Sequence, residues 1–339
     1  MKLLILGGTR FAGRHIVESA LKRGHTVTLF NRGRENLDLF PGVEKLIGDR
    51  YSDLDLLRGR EWDAVIDTCG YEPKAVRLSA ELLKDSVEQC IYISSGSVYE
   101  DWEKGKLDEA SQVKVLSDEA TTEVDQLVAK GSPDARALGK YYGELKAACE
   151  MEIDAILPGR ALHVRSGVMV GPYDYTGRFT YWIDRIARGG RVVCPDCPET
   201  PLRFIDARDL ADWIIQSAEQ KITGVFNTWG NASFAFGEFL NACQVSDKDP
   251  AELVWITEQQ LSDNEVQPWS DLPLWLPSEY KAYFNATDEK AIQRGLTYRS
   301  IEETIQNTRS WLEEHKFESK DSEGLSGERE LQILSKFPG

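Results

Sequence analysis

The chain of 339 residues is acidic, with a formal net charge of −16 and 41% hydrophobic residues. This size supports one large α/β domain or a domain with a smaller partner. The sequence has no basic stripe of the kind typical of general nucleic-acid binders. No apolar run is long enough to span a membrane or serve as a signal peptide, and six scattered cysteines favour reduced thiols in a cytoplasmic protein.

The first 34 residues predict a strand, a glycine-rich turn, a helix and a second strand. Glycines in such a turn let backbone N–H groups approach a pyrophosphate, and the start of the helix adds unpaired donors. The candidate cofactor contacts in this turn are Gly7, Gly8, Thr9, Arg10, Phe11 and Gly13. Arg10 stands where the pattern G-x-x-G-x-x-G has its middle glycine. Its guanidinium either meets an anion or is a solvated side chain at the start of the helix.

The end of the second strand indicates which dinucleotide binds. NAD-specific folds close this strand with a carboxylate that binds the ribose 2′-hydroxyl. Here the strand closes with Asn31, followed by Arg32 and Arg34. Arginines suit a 2′-phosphate through charge-assisted, forked hydrogen bonds. We therefore expect NADP, with NAD as the alternative, and we place all three residues in the cofactor site.

Two more strand ends carry candidate cofactor residues. Asp49 follows a short third strand and either meets the adenine edge or caps a loop. The fourth strand, 62–67, is apolar at its centre, as buried parallel strands are, and a later apolar strand is predicted over 161–170. Asp67, Thr68 and Cys69 leave that strand at the edge where ligands bind in parallel sheets, so we expect them in the cofactor site. The fifth strand, 90–93, runs into Ser94 and Ser95.

A predicted helix over 136–151 carries Tyr142 and Lys146, four residues apart and therefore on one face. A nearby ammonium lowers the pKa of a tyrosine and allows it to exchange a proton with a reacting carbonyl or alcohol. The spacing alone is common by chance. Its position after a glycine turn and a strand ending in serines makes a catalytic pair the better interpretation.

The order of these motifs resembles the extended branch of the short-chain dehydrogenase/reductase superfamily, which includes sugar-nucleotide epimerases and dehydratases. The matching segments are GGTRFAG, ISSGSVY, YGELK, RSGVMVGPYD and RFIDARDLA. The turn is also similar to that of chloroplast stem-loop-binding proteins. The resemblance implies that Ser95 hydrogen-bonds the reacting oxygen, that Tyr142 is the acid/base, and that Lys146 holds the nicotinamide ribose.

The resemblance also implies an α/β fold, a Rossmann-type doubly wound parallel sheet with a smaller carboxyl-terminal α/β substrate-binding domain. We expect the cofactor domain over 1–165, with a polar, lid-like insertion at about 100–135 that contains a short helix near 123–129. The substrate domain covers 166–316, with about 203–229 returning to the first domain, and 317–339 form a charged tail. The implied activity is that of an NAD(P)-dependent reductase or epimerase. The alternative is a non-catalytic NADP-binding regulatory or RNA-associated protein.

Other features point to partners less directly. We expect a small-molecule substrate, no nucleic acid, no membrane and a homodimer as an open option. Cys194 and Cys197 have C-x-x-C spacing, but a structural zinc needs four ligands and no second pair follows, so we expect no metal. Four arginines lie in the region that binds the substrate diphosphate of sugar-nucleotide relatives, and each is also explained as an ordinary surface arginine: Arg160, Arg165, Arg178 and Arg203.

Overall fold

A computed structural model describes residues 1–100, 106–131, 137–231, 234–245, 249–315 and 324–337. The strands are β1 (Lys2–Leu6), β2 (Thr26–Asn31), β3 (Glu44–Ile47), β4 (Trp62–Asp67), β5 (Val87–Ser95), β6 (Ala161–Ser166), β7 (Met169–Val170), β8 (Arg191–Pro195), β9 (Ile205–Asp206), β10 (Gly224–Thr228) and β11 (Glu252–Ile256). The α-helices are α1 (Phe11–Lys22), α2 (Pro73–Leu83), α3 (Asp118–Ala129), α4 (Tyr142–Ile156), α5 (Arg178–Ala187), α6 (Ala207–Glu219), α7 (Phe236–Ala242), α8 (Glu258–Asp263), α9 (Glu289–Ile292), α10 (Ile301–His315) and α11 (Gly327–Leu334).

Seven strands form one sheet in the order β10-β6-β5-β4-β1-β2-β3, and every neighbouring pair is parallel. Strand β1 lies between β2 and β4, with Leu3 opposite both Val27 and Ala64. The chain therefore reverses its direction of winding at β1. In such sheets ligands bind at this switch point, beyond the carboxyl ends of the strands. The predicted doubly wound parallel sheet is confirmed.

Successive side chains of β1 point to opposite faces of the sheet, as they do in any β-strand. Leu3 and Ile5 pack in one apolar cluster with residues of α1 and α6. Leu4 and Leu6 pack in another with residues of α2 and α4. Each fully buried leucine contributes about 1.5–3 kcal/mol relative to exposure. These helices therefore hold the carboxyl edge of the sheet, and the loops that leave it, in fixed positions.

A separate apolar cluster organises much of the chain beyond β6. Phe179 of α5 stacks on Phe239 of α7 with ring centroids 5.3 Å apart. Two small parallel sheets, β11-β8 and β7-β9, frame this part. Helix α6 and strand β10 instead join the large sheet, through the α6 packing on α1 and the β10 pairing with β6. The domain limits drawn from the sequence remain predictions.

The structure differs from the sequence-based elements at three places. Helix α4 begins at Tyr142, after a 3₁₀ turn at Gly139–Tyr141, because Gly139 is a poor helix former. The predicted strand over 161–170 is divided at Gly167, where the backbone lies against Trp229 and the N–H group of Gly167 bonds the Thr228 carbonyl at 3.1 Å.

The third difference is in the polar insertion. Its helix, α3, begins earlier than position 123, because the Ser117 hydroxyl caps it by accepting from the Ala120 N–H at 3.1 Å. The parts of the insertion at 101–105 and 132–136 lie outside the described residues. In the predicted charged tail, 317–323 and 338–339 are likewise outside them. The described part contains α11, whose buried Glu330 bonds the Arg185 guanidinium at 2.6 Å.

Candidate functional site

The turn after β1 has a backbone that only glycine adopts readily. Gly7 and Gly8 have φ angles of +102° and +90°, and a side chain on Gly7 would collide with the Thr68 hydroxyl. A Cβ on Gly13 would lie 3.0 Å from the Gly8 nitrogen, so α1 can approach the turn only because residue 13 is glycine. These residues form a backbone cradle of the kind that accepts a diphosphate.

Side chains from the neighbouring strand ends hold this cradle in place. Asn31 donates to the Gly7 carbonyl at 3.0 Å and accepts from the Gly33 N–H at 2.9 Å. Thr68 donates to the carbonyl of Leu6 at 2.8 Å. Both predicted cofactor residues therefore support the turn through the backbone. Whether they also touch a cofactor stays a prediction.

Residues of the turn itself are positioned by contacts that the sequence analysis did not foresee. The Thr9 side chain is buried, and its carbonyl accepts from Asn36 at 2.7 Å. Arg10 is exposed, and its guanidinium carbon lies 4.0 Å from the centroid of the Tyr175 ring. The Phe11 ring lies edge-on to Tyr175 at 6.4 Å. A residue far along the chain thus sits beside the glycine turn.

The proposed 2′-phosphate side lies beyond β2. Arg32 and Arg34 are exposed there. Burial raises the pKa of the Cys69 thiol to about 11, and the charge of Arg32 lies near enough to oppose that rise. Asp49 accepts from the Tyr51 N–H at 3.0 Å, which is the loop-capping role left open by its sequence position.

Asp67, at the end of β4, forms a buried ion pair that sequence reasoning missed. Its carboxylate lies 2.8 Å from one Arg50 nitrogen and 3.3 Å from another, and it accepts from the Cys69 N–H at 3.0 Å. Arg50 also donates to the Ser79 hydroxyl at 2.6 Å. Burial opposes the charge on Arg50, but the Asp67 carboxylate outweighs it and raises the arginine's pKa. Both Asp67 oxygens are thus engaged within the protein.

Ser95 and Tyr142 meet at the carboxyl edge of the sheet. Ser95 is the last residue of β5, and Tyr142 is the first residue of α4. Burial raises the pKa of Tyr142, while a hydrogen bond with Ser95 and the charge of Arg178 oppose the rise. Lys146 is not among these causes, and its effect on the tyrosine's pKa beside a bound nicotinamide stays a prediction.

Lys146 points towards the ends of β4 and β5. Its side chain is 2% exposed, and its ammonium donates to the carbonyls of Gly70 at 2.9 Å and Ile93 at 2.6 Å. Its nitrogen is 6.0 Å from the centroid of the Tyr142 ring. Burial lowers the pKa of Lys146 to about 8. The lysine shares a helix face with the tyrosine, but it is held by the ends of β4 and β5.

A wall of aromatic side chains borders the Ser95–Tyr142 pair. A Cβ on Gly96 would collide with the Trp229 indole, which packs on Tyr283 with centroids 5.1 Å apart. Tyr283 packs on Trp269 at 6.1 Å, and the Arg178 guanidinium lies 5.4 Å from the Trp269 centroid. The charge of Arg178 also acts on Tyr142, so a cation lies near the tyrosine.

The four arginines singled out in the sequence are therefore not equivalent. Three of them are held by contacts away from the tyrosine: Arg160 by the carbonyls of Lys84 and Val87, Arg165 by the Glu150 carboxylate, and Arg203 by the Asp288 carboxylate. Only for Arg178, among these four, does the structure indicate an effect on Tyr142.

Two other sequence features carry no visible chemistry. Within the described residues, no three His, Cys, Asp or Glu side chains are grouped to hold a metal ion. None of the six cysteines, Cys194 and Cys197 included, forms a disulfide. In the part of the chain that the structure describes, every helix is too short or too polar to cross a membrane.

The strand order and the glycine turn at the switch point define the class. The chain has a Rossmann-type, doubly wound α/β fold. No protein-family model matches it. It is similar to the chloroplast stem-loop binding protein of 41 kDa b of Arabidopsis thaliana, with 25% identity over 264 residues. The match covers 71% of this chain but 62% of that protein, less than two thirds of its length.

Solved structures share the fold over most of the chain. The UDP-N-acetylglucosamine 4-epimerase of Methanobrevibacter ruminantium, in complex with UDP-N-acetylmuramic acid, has a TM-score of 0.67 and 18% identity, covering 93% of this chain and 98% of its own. WbmH of Bordetella bronchiseptica, with NAD⁺, has a TM-score of 0.65 and 15% identity, covering 93% and 99%. Human SDR39U1, with NADPH, has a TM-score of 0.59 and 16% identity, covering 91% and 99%. The resemblance predicted from the sequence is confirmed at the level of the fold.

Proposed function

We propose that the chain is an NAD(P)-dependent oxidoreductase or epimerase, with Tyr142 as the acid/base for a carbonyl or alcohol substrate. The observation that carries the proposal is the meeting of Ser95, at the end of β5, with Tyr142, at the start of α4, on the carboxyl edge of the sheet beside the buried Lys146. A surface tyrosine–lysine pair would not be joined to the end of a neighbouring strand in this way.

The residues present fit a dinucleotide. The left-handed backbone of Gly7 and Gly8 and the close approach of Gly13 leave room for a diphosphate. Arg32 and Arg34 would face the 2′-phosphate of NADP, and Asp49 and the Asp67–Cys69 turn would border the adenine nucleotide. The bound nicotinamide would supply or accept a hydride next to Ser95 and Tyr142.

Tyr142 would act as an acid in the reducing direction. Burial raises its pKa above the ordinary value, so at neutral pH its hydroxyl carries a proton to donate to a carbonyl oxygen. Ser95 would hold that oxygen by a second hydrogen bond. Lys146 would hold the nicotinamide ribose from its position at the ends of β4 and β5. The remaining face of the pocket, with Arg178 and the aromatic wall, would take the substrate.

The finer substrate choice lies between a small carbonyl compound and a sugar nucleotide. The epimerase with the similar fold was solved with a nucleotide sugar. A cation close to Tyr142 suits either a phosphorylated or a carboxylated substrate, because it can neutralise the anion while aromatic side chains pack on the ring. We also propose a cytoplasmic location, in keeping with six thiols outside disulfides.

The similarity to a stem-loop binding protein favours a second candidate, a cofactor-binding protein associated with RNA. A net charge of −16 opposes it, because the affinity of proteins for RNA depends largely on phosphate contacts with basic side chains. The meeting of Ser95 and Tyr142 has no role in that alternative.

The test is to identify small molecules released from the purified protein by mass spectrometry, followed by a panel of ketones and nucleotide sugars with NADPH. We expect a nicotinamide dinucleotide and turnover of at least one compound. A retained oxidised cofactor would favour an epimerase, and exchange with the medium a reductase. Salt-sensitive binding of an RNA hairpin by a protein that turns over nothing would contradict the proposal.

The cofactor preference rests on Arg32, and the variant Arg32→Ala tests it. Loss of a charge-assisted bond to the 2′-phosphate should weaken NADPH binding by about tenfold or more and leave NADH binding nearly unchanged. Fluorescence titration of the two cofactors measures both affinities. Arg58→Ala, at an exposed arginine paired with Asp55, is the matched control. Equal losses for NADPH and NADH would show that Arg32 does not read the 2′-phosphate.

A further inference from the structure

The segment between β7 and α5, residues 171–177, lies across the first turns of α1, and we call it the cover segment. The Nε2 atom of the His15 ring lies 3.0 Å from the carbonyl oxygen of Pro172. The Arg14 guanidinium carbon is 3.4 Å from the centroid of the Tyr173 ring, and that of Arg10 is 4.0 Å from the Tyr175 ring. The segment is therefore tied to the helix that begins at the glycine turn.

The backbone of the cover segment is fixed by its surroundings. Tyr173 has a φ of +68°, a left-handed conformation that costs a non-glycine residue about 1–3 kcal/mol unless neighbours impose it. Its ring packs on Trp311 at 5.5 Å and on His315 at 5.8 Å, both in α10. A strained residue held from two sides, by α1 and by α10, indicates a built feature rather than an ordinary surface loop.

The start of α1 lacks the groups that helices normally use there. Its N-cap residue is Arg10, whose side chain makes no capping hydrogen bond, and its first turn contains no acidic residue. The positive end of the helix is thus left for an outside anion. Arg10 adds a cation at the same place.

Stacking determines what Arg10 can still do. The Tyr175 ring lies against the face of the guanidinium, while the N–H donors of a guanidinium lie in its plane and point outward from the edge. Tyr175 can therefore restrict the arginine without using its donors. The stacking therefore leaves the donors of Arg10 available to an anion.

We propose that Arg10, positioned by Tyr175, binds the diphosphate of the dinucleotide, and that the cover segment must move away before the cofactor can leave. The arginine replaces the function of the missing middle glycine, giving a side-chain contact instead of closer backbone approach. This inference rests on the proposed function, because it takes the ligand of the glycine turn to be NAD(P).

The test compares two ligands, each of which contains a different part of the cofactor. ADP-ribose contains the diphosphate, whereas 2′-AMP contains only the 2′-phosphate. We expect Arg10→Ala to weaken ADP-ribose by about tenfold or more and to leave 2′-AMP unchanged, measured by calorimetry on the full chain. Arg32→Ala should weaken the binding of 2′-AMP and leave that of ADP-ribose unchanged. If Arg10→Ala weakened both ligands equally, or neither, the diphosphate assignment would be overturned.

Cofactor release tests the cover segment. Tyr175→Ala should speed the displacement of NADPH by about threefold or more, in stopped-flow fluorescence, because the cation–π contact is lost. Tyr175→Phe keeps the ring face and should release at the wild-type rate, which also shows that the position tolerates change. Tyr280→Ala, at an exposed tyrosine elsewhere, is the control. An unchanged rate in Tyr175→Ala would sink the proposal, even in a protein that turns over substrate.

The two proposals fail separately. If the release rate and ADP-ribose affinity respond as expected but no substrate is turned over, the cover segment stands and the proposed reaction falls. If hydride transfer occurs but neither binding measurement responds to Arg10 or Tyr175, the reaction stands and the cover segment falls.

Discussion

Replacing Tyr142 by phenylalanine should lower the rate of hydride transfer by about 10²–10⁴-fold, the usual contribution of a positioned general acid. Phenylalanine preserves the ring that lies 6.5 Å from Tyr71 but removes the hydroxyl on which Ser95 acts. Cofactor affinity should stay within about twofold, because the change removes a group that acts on the substrate oxygen. Single-turnover kinetics with NADPH and fluorescence titration measure the two quantities.

The neighbouring tyrosine supplies a matched control. Tyr141 precedes α4, and its ring lies 4.7 Å from the Lys140 ammonium, so Tyr141→Phe removes a hydroxyl without reaching Ser95. We expect its rate to equal that of the wild type. Equal losses in both variants, or full activity in Tyr142→Phe, would show that the acid is another group.

Much of the sheet could be predicted because each strand is a short apolar run, and residues that interrupt the apolar pattern stand at both of its ends. Strand β4 has the bounds that the sequence indicated, because the segment between Glu61 and Thr68 can be recognised as a strand from its own residues alone. The glycine turn was predictable for the same reason: Gly7 and Gly13 are needed by backbone geometry within a single β–α unit. Local chemistry is what a sequence displays directly.

The contacts that position the candidate site were not predictable, because they join residues far apart in the chain. Tyr175 meets Arg10 from the segment between β7 and α5, and the charge of Arg178 acts on Tyr142 from the start of α5. The spacing of Tyr142 and Lys146 was visible, but the lysine's partners, the carbonyls of Gly70 and Ile93, were not. Helical spacing places two side chains on a face, while tertiary packing decides where each one points.

Asp67 shows the same limit, and its buried pair with Arg50 leads to the second large effect. Arg50→Met should lower the free energy of unfolding by about 3–5 kcal/mol, because it leaves the Asp67 carboxylate buried without its cation. Urea unfolding measures the change as a shift of the midpoint. Arg60→Met breaks an ion pair with Glu44 whose side chains are 38% and 49% exposed, and should cost about 0–1 kcal/mol.

The double variant Arg50→Met/Asp67→Asn separates the ion pair from its surroundings. Neutralising Asp67 removes the unpaired charge, so the double variant should recover part of the stability lost in Arg50→Met. No recovery would assign the loss to packing and to the bond with Ser79 instead.

The same double variant tests Asp67 as a cofactor residue. Both carboxylate oxygens are engaged by Arg50 and the Cys69 N–H, so NADPH affinity should change by only a few fold. A far larger loss in the refolded double variant would mean that Asp67 contacts the cofactor directly.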